Sequence, residues 1–343
     1  MKAIQIPKYV ESFSELQVTD IPAPIPNIQN DEVLVTITHS ALNHVDLLYA
    51  RGLHQNNHVG LVKPSFTLGL EFAGVVASAS ARSGFNRGDQ VWGSSVGGFA
   101  EQIAVPASAL HRVPSGWTLH DVAGLGAATA PVSYGALVRV ARVQAGQTVL
   151  VHAAAGGLGV VAVQIAHALG AKVIATVGSQ EKAEVVRKLG VAGGVLVVRY
   201  DRDGWEKEVL KMTTDGRGVD VVYDTVGLVE KSIRCLRFSG SVVIAGFAGR
   251  GGRMETLAMN RVLLKGAKLM GYRYGETGRR DPQENEEVWK GFNEMLETGQ
   301  IRPVIYKTYL GLESVPGAMD DLAARKVWGK AVVELRSPQT AKL

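Results

Sequence analysis

Three features of this 343-residue chain predict an α/β protein, with a doubly wound parallel sheet joined to a β-rich unit. The length exceeds what one ordinary domain holds and suits two. From Thr148 to Ala245, apolar β-branched runs alternate with stretches of helical spacing, the pattern of a parallel sheet covered by helices on both faces. Before Asp121 the apolar runs are short and broken by proline and glycine, as in a compact β-rich unit.

The bulk composition sets the limits. Hydrophobic residues make up 46% and charged residues 20%, so a sizeable core can be buried and global disorder is excluded. The net charge is +5, but the basic residues are dispersed and no run of five occurs. A nucleic-acid partner is therefore not expected, and a mild positive potential suits a phosphorylated cofactor. Cys235 is the one cysteine, which excludes an internal disulfide and any zinc site with two cysteine ligands. No apolar run reaches the ~18 residues of a membrane span, and Met1 to Phe13 lacks the continuous apolar stretch of a signal peptide.

In the first third, strands are predicted at 33–38, 71–77, 91–92 and 102–105. The segment 134–143 has helical spacing. The alternation then places strands at 148–152, 172–177, 195–198, 219–223 and 241–245, with helices at 158–169, 180–189 and 205–213. The end of the chain reads as a strand at 268–272, a helix at 286–297 and a strand at 331–335. The polar stretch 279–287 between them reads as a solvated loop.

The most informative motif is Ala153-Ala154-Ala155-Gly156-Gly157-Leu158-Gly159, between a predicted strand and a predicted helix. A pyrophosphate needs a tight turn, close backbone approach and a free helix N-terminus. Gly156 offers no Cβ to obstruct the phosphate, and Gly159 lets helix and strand pack closely. Ala154 stands where the first glycine of G-x-G-x-x-G is usual. A purely structural turn is the competing reading, disfavoured by its place inside a longer strand–helix alternation. At the end of the next strand an NAD site usually carries an acid for the ribose hydroxyls. Here the strand ends in Gly178 and Ser179, followed by Lys182, which suit the 2′-phosphate of NADPH. Ser179 also suits a helix cap, and the two roles are compatible.

Several blocks now carry a resemblance: 41–46 (ALNHVD), 69–76 (GLEFAGVV), 88–91 (GDQV), 149–159, 178–182, 218–227 (GVDVVYDTVG) and 329–333 (GKAVV). In this order the chain resembles the zinc-independent quinone oxidoreductase (zeta-crystallin-like) branch of the medium-chain dehydrogenases/reductases. The resemblance implies a Rossmann doubly wound parallel sheet, placed at 126–266 and binding NADPH. It is inserted in a β-rich GroES-like catalytic domain formed by 1–125 plus 267–343. The implied reaction is hydride transfer from NADPH to a quinone or similar electron-poor acceptor. The alternatives are reduction of an enal, enone or enoyl thioester and, in another class, an NADPH-binding RNA-binding or regulatory protein.

By the same resemblance, phosphate contacts fall on Ala155, Gly156, Gly157 and Leu158. The 2′-phosphate falls on Gly178, Ser179 and Lys182. Tyr200 packs on the adenosine end, and Arg325 lies near the same phosphate. Gly246, Phe247, Gly271, Tyr272 and Arg273 flank the nicotinamide ribose. Asn43 lines the substrate cleft, and Asn43 or Tyr49 is the candidate to stabilise a developing oxyanion; a turn residue and a core tyrosine are the plainer readings. The family pattern is departed from at His44, Leu48 and Val132, where proline, tyrosine and threonine are usual. Zinc-dependent relatives have histidine at the position of Leu70, so no metal site is expected. His54 and His58 read as solvated loop residues.

The resemblance also implies a homodimer through the edge of the Rossmann sheet, with 241–245 and 268–272 as the candidate outer strands. Cytoplasm is the expected compartment. Ala341-Lys342-Leu343 resembles the Ser-Lys-Leu peroxisome address and makes the peroxisome the alternative.

Overall fold

The computed structural model describes residues 1–249 and 255–335; the terminal tripeptide of the peroxisome reading lies outside them. Contacts divide the chain into two units, Met1–Thr129 with Pro303–Leu343, and Ala130–Arg302.

The first unit begins with β1 (Lys2–Ile6), β2 (Val18–Asp20), β3 (Glu32–Ala41), β4 (Phe66–Thr67), β5 (Glu71–Ser78), β6 (Gln90–Ser94), β7 (Gln102–Pro106) and β8 (Leu110–Arg112). The chain then forms β9 (Thr148–Val151), β10 (Lys172–Val177), β11 (Leu196–Arg199), β12 (Val219–Asp224), β13 (Leu236–Ile244) and β14 (Lys268–Gly271) of the second unit. It returns to the first with β15 (Ile305–Leu310) and β16 (Lys330–Glu334).

In the first unit a seven-stranded sheet runs β15-β16-β3-β5-β6-β8, with β7 also on β3, beside a three-stranded sheet β2-β1-β4. Along β3 the buried residues Val33, Val35 and Ile37 alternate with partly exposed ones, the period-2 pattern of a strand with one face on the core. They join Phe72, Val76, Val91, Phe99 and Val333 in one apolar cluster. The strands β1, β2, β4, β8 and β15 are not among those expected from the sequence.

The second unit is a six-stranded, wholly parallel sheet in the order β11-β10-β9-β12-β13-β14. All four residues of β9 are buried, because helices cover both faces. The order reverses between β9 and β12, and ligands of such sheets bind beyond the carboxyl ends of the strands at that point.

Four expectations are corrected. Residues 267–302 belong to the parallel-sheet unit, because β14 pairs with β13 along 268–271, so the boundary lies at 302 and not at 266. For the same reason β13 is internal, and β14 alone of the two proposed outer strands is an edge. The stretch 279–287 is helical: Tyr274–Arg280 is followed by Pro282–Glu297, whose cap Asp281 accepts from the Glu284 N–H. His54 and His58 frame one helical turn, Gln55–His58, in which His54 Nδ1 accepts from the Asn56 N–H at 3.0 Å.

Candidate functional site

The carboxyl edge of the parallel sheet collects most of the expected cofactor residues. Past β9 the backbone turns through Ala153 and starts the helix Gly157–Ala168. Ala153 takes the left-handed conformation, φ 47°, at a cost of about 1 kcal/mol for a residue with a Cβ. The strained residue is therefore 153 and not 154, which is why an alanine is tolerated where the usual pattern has its first glycine. The turn is tied down by Gly156 N–H to Ala153 O (2.8 Å) and Ala154 N–H to Thr176 O (3.0 Å). A Cβ on Gly159 would collide with Ala153 O and the Ala154 backbone, so only glycine lets the helix approach this closely. Ala155 is buried, whereas Gly156, Gly157 and Leu158 are partly exposed at the helix start, where backbone N–H groups lack helical partners.

Beside this turn, β10 ends in Gly178 and Ser179. Ser179 Oγ accepts from the Lys182 N–H at 3.3 Å, capping the helix Gln180–Arg187. A Cβ on Gly178 would lie 3.3 Å from Tyr200 Cε2, so the Tyr200 ring sits against the strand end. Gly178, Ser179, Lys182 and Tyr200 thus form one group, with Glu181 exposed on the following turn. At the other side of the edge, Tyr272 N–H donates to Ile244 O at 2.9 Å, which sets Tyr272 at the end of β13. Tyr272 is buried, Arg273 is exposed beside Glu276, and Gly271 is exposed at the end of β14. Gly246 passes close to Thr225, whose carbonyl lies 3.1 Å from where a Cβ would stand, and Phe247 is 54% exposed. Arg325 belongs to the β-rich unit, with φ 59°, and its charge adds to desolvation in holding the His44 imidazole below its ordinary pKa.

In the β-rich unit the candidate Asn43 proves to be part of a buried polar cluster. Its Oδ1 accepts from Lys330 Nζ at 2.8 Å and lies 2.8 Å from Thr129 Oγ1, whose single proton goes to Glu71, and its Nδ2 donates to Glu71 Oε2 at 2.8 Å. Glu71 Oε1 in turn accepts from Ala128 N–H (2.8 Å) and Thr129 Oγ1 (2.7 Å), and Oε2 from Lys330 Nζ (2.6 Å). The Asn43 amide is thereby committed inside the protein. Both amide hydrogens that an oxyanion would need have protein acceptors, Glu71 Oε2 and, at 3.4 Å, Ala41 O. Tyr49 is corrected as well: it is 4% exposed in the apolar core, and its hydroxyl accepts from Asn56 Nδ2 at 2.9 Å. Next to Asn43, Asp46 is fully buried and accepts the Asn43 N–H at 2.7 Å. Burial pushes its pKa up to about 7.

Glu71, Lys330 and Thr129 were not assigned from the sequence, yet two of them carry a readable signal. A glutamate and a lysine each open a largely apolar strand, and a charge at the buried start of a strand demands a partner. The same cluster bears on zinc. Leu70 offers no ligand atom, both Glu71 oxygens already accept two hydrogen bonds each, and no group of three or more metal-ligating side chains occurs among the described residues. The residues present do not fit a zinc ion.

Comparison with known proteins places these features. An alcohol dehydrogenase GroES-like domain model matches residues 29–115, and a zinc-binding dehydrogenase model matches residues 157–294. Quinone oxidoreductase-like protein 2 of Rattus norvegicus is 34% identical over 328 residues, covering 92% of this chain and 87% of the relative. A mycobacterial protein solved as a complex with NADPH superposes with a TM-score of 0.82 at 27% identity, covering 97% of this chain and 99% of that one. The apo JamJ enoyl reductase superposes with a TM-score of 0.84 at 25% identity, covering 98% and 99%. With a GroES-like β-rich unit, a Rossmann sheet and relatives of this kind, the chain belongs to the medium-chain dehydrogenase/reductase superfamily, as a reductase of the quinone oxidoreductase-like type.

Proposed function

We propose that this reductase binds NADPH along the carboxyl edge of the parallel sheet and reduces a quinone or similar electron-poor acceptor without zinc. The observation that carries the cofactor choice is the end of β10. The strand ends in Gly178 and Ser179 with no carboxylate, and Ser179 and Lys182 stand there beside the Tyr200 ring. A carboxylate would repel a 2′-phosphate, whereas a hydroxyl and an ammonium attract it. Gly156, Gly157 and Leu158 would receive the pyrophosphate at the helix start, with Ala155 supporting them from below. Gly246, Phe247, Gly271, Tyr272 and Arg273 would flank the nicotinamide ribose. The nicotinamide, when bound, supplies the hydride. The likeness to a protein solved with NADPH supports the same choice.

The protein's own contribution is to bind, orient and exclude water. With Asn43 turned inward and Tyr49 buried, the proton that accompanies the hydride is assigned to solvent. A quinone acceptor permits this, because its reduced oxygen is protonated readily by water. An enoyl thioester is the second reading, favoured by the likeness to the JamJ enoyl reductase. Steady-state rates with NADPH and a benzoquinone, set beside an enone and an enoyl thioester, separate the two. A kcat/KM for the thioester well above that for the quinone replaces the first reading with the second.

We further propose a two-fold dimer through β14. Among the described residues this edge strand has no strand partner on its outer side, and the helix Met259–Lys265 leaves Met259, Leu263 and Leu264 66–80% exposed. An uncovered edge beside apolar side chains is a pairing surface. No helix among the described residues is long and apolar enough to cross a membrane.

A further inference from the structure

The core of the parallel sheet holds a histidine that the reaction does not use. His152 is fully buried at the joint between β9 and the phosphate turn, and its ring stands edge-on to Trp205 at 5.3 Å. Its Nδ1 lies 2.7 Å from Thr176 Oγ1 and its Nε2 lies 2.8 Å from Ser232 Oγ. Ser232 Oγ donates to Leu228 O at 2.7 Å. A hydroxyl has one proton, so Ser232 must accept from Nε2–H, and Nδ1 must accept from Thr176. The chain of bonds is therefore directional: Thr176 O–H to Nδ1, Nε2–H to Ser232, and Ser232 O–H to Leu228 O. Burial favours the neutral ring that this chain needs.

Each end of the chain reaches an element of the carboxyl edge. Thr176 lies two residues before Gly178. Leu228 N–H is itself held by Asp224 Oδ2 at 2.6 Å, just past the end of β12. The β9–β10 ladder ends at Val151 opposite Ala175. Beyond it, the two chains are joined by the His152–Thr176 bond and by Ala154 N–H to Thr176 O. A core-filling side chain would need no such pair of oriented partners, since an apolar residue of similar size avoids the cost of burying two ring nitrogens.

We propose that His152 is a positioning residue for the dinucleotide, setting the spacing between the pyrophosphate turn at 153–159 and the 2′-phosphate group at 178–182. This rests on the cofactor reading above. The spacing matters only to a ligand that spans both places. Intact NADPH does so, and adenosine 2′-monophosphate touches the β10 end alone.

The test is calorimetric titration of both ligands into the wild type, Thr176→Val, Thr176→Ser and Ser232→Ala. Thr176→Val removes the hydroxyl at nearly constant volume, Thr176→Ser restores it, and Ser232→Ala breaks the far end while leaving the Thr176 bond in place. Loss of one neutral hydrogen bond is expected to raise the NADPH Kd about fivefold in Thr176→Val and in Ser232→Ala. The Kd for adenosine 2′-monophosphate should stay within about twofold, and Thr176→Ser should return NADPH binding to the wild-type value. A merely structural defect would lower thermal stability without separating the two ligands. Unchanged NADPH binding in both hydroxyl-deleted variants, or equal weakening of the two ligands, overturns the inference while the cofactor reading stands. A wild type that binds neither ligand overturns the cofactor reading, and this inference with it.

Discussion

Replacing Lys330 with methionine is the sharpest test of the buried cluster. The side chains of Lys330 and Glu71 are 4% and 2% exposed, and the ammonium lies 2.6 Å from the carboxylate. In Lys330→Met, Glu71 keeps Ala128 N–H, Thr129 Oγ1 and Asn43 Nδ2 as donors but loses its salt bridge to Lys330. Breaking one side of a buried pair costs about 3–5 kcal/mol, because the remaining charge stays desolvated. Removing both charges costs far less, since the pair's attraction is largely offset by its own desolvation. Lys330→Met/Glu71→Gln should therefore recover at least about 2 kcal/mol relative to the sum of the single variants. The assay is urea unfolding followed by tryptophan fluorescence for the wild type, both single variants and the double variant. Within the same series Asn43 should loosen, because Lys330 donates to its Oδ1. A Lys330→Met variant that loses less than about 1 kcal/mol, or a cycle whose terms simply add, would refute the account of the cluster.

Four further outcomes are expected. Lys182→Ala should weaken NADPH binding by about tenfold to a hundredfold and leave NADH nearly unchanged, as for one charge-assisted contact; equal wild-type affinity for the two cofactors would sink the assignment. Asp46, raised by burial from 3.8 to about 7, holds its proton more tightly folded than unfolded. Its contribution to stability therefore falls as pH rises from about 4 to 7, by at most about 4 kcal/mol, and Asp46→Asn should flatten that slope in Tm measured from pH 5 to 8. Quinone reductase activity should survive prolonged chelation; a loss reversed by zinc would contradict the donor-set argument made from Leu70 and Glu71. Light scattering at micromolar concentration should give a dimer mass, and Leu263→Glu/Leu264→Glu should shift it to the monomer; a wild-type monomer removes the β14 interface.

What was legible in the sequence is what local chemistry dictates. The alternation of β-branched runs with helical periods marked out the parallel sheet, because both periods are local properties of the backbone. The glycines at 156, 157 and 159 and the absence of an acid at the end of β10 marked a candidate phosphate-binding edge, because a tight turn and a close approach restrict residue type at fixed spacing. Even so, the left-handed residue of that turn fell on Ala153, since neighbouring hydrogen bonds and not residue type alone selected the position.

Only the tertiary structure decided the rest. Whether Asn43 faces a substrate or the interior depends on Glu71, Thr129 and Lys330, the last of them 287 residues away in the chain. An amide's donors and acceptors are few, and the partners that exhaust them come from distant strands. The boundary at 302 depended on β14 pairing with β13, and strand order is a property of the sheet as a whole. His152 was part of a recognised motif, but its task rests on Thr176 and Ser232 meeting its two nitrogens from opposite sides. Sequence determines which groups are available and how the backbone turns beneath them. Folding decides which buried polar groups are left free to act, because each must first satisfy its neighbours.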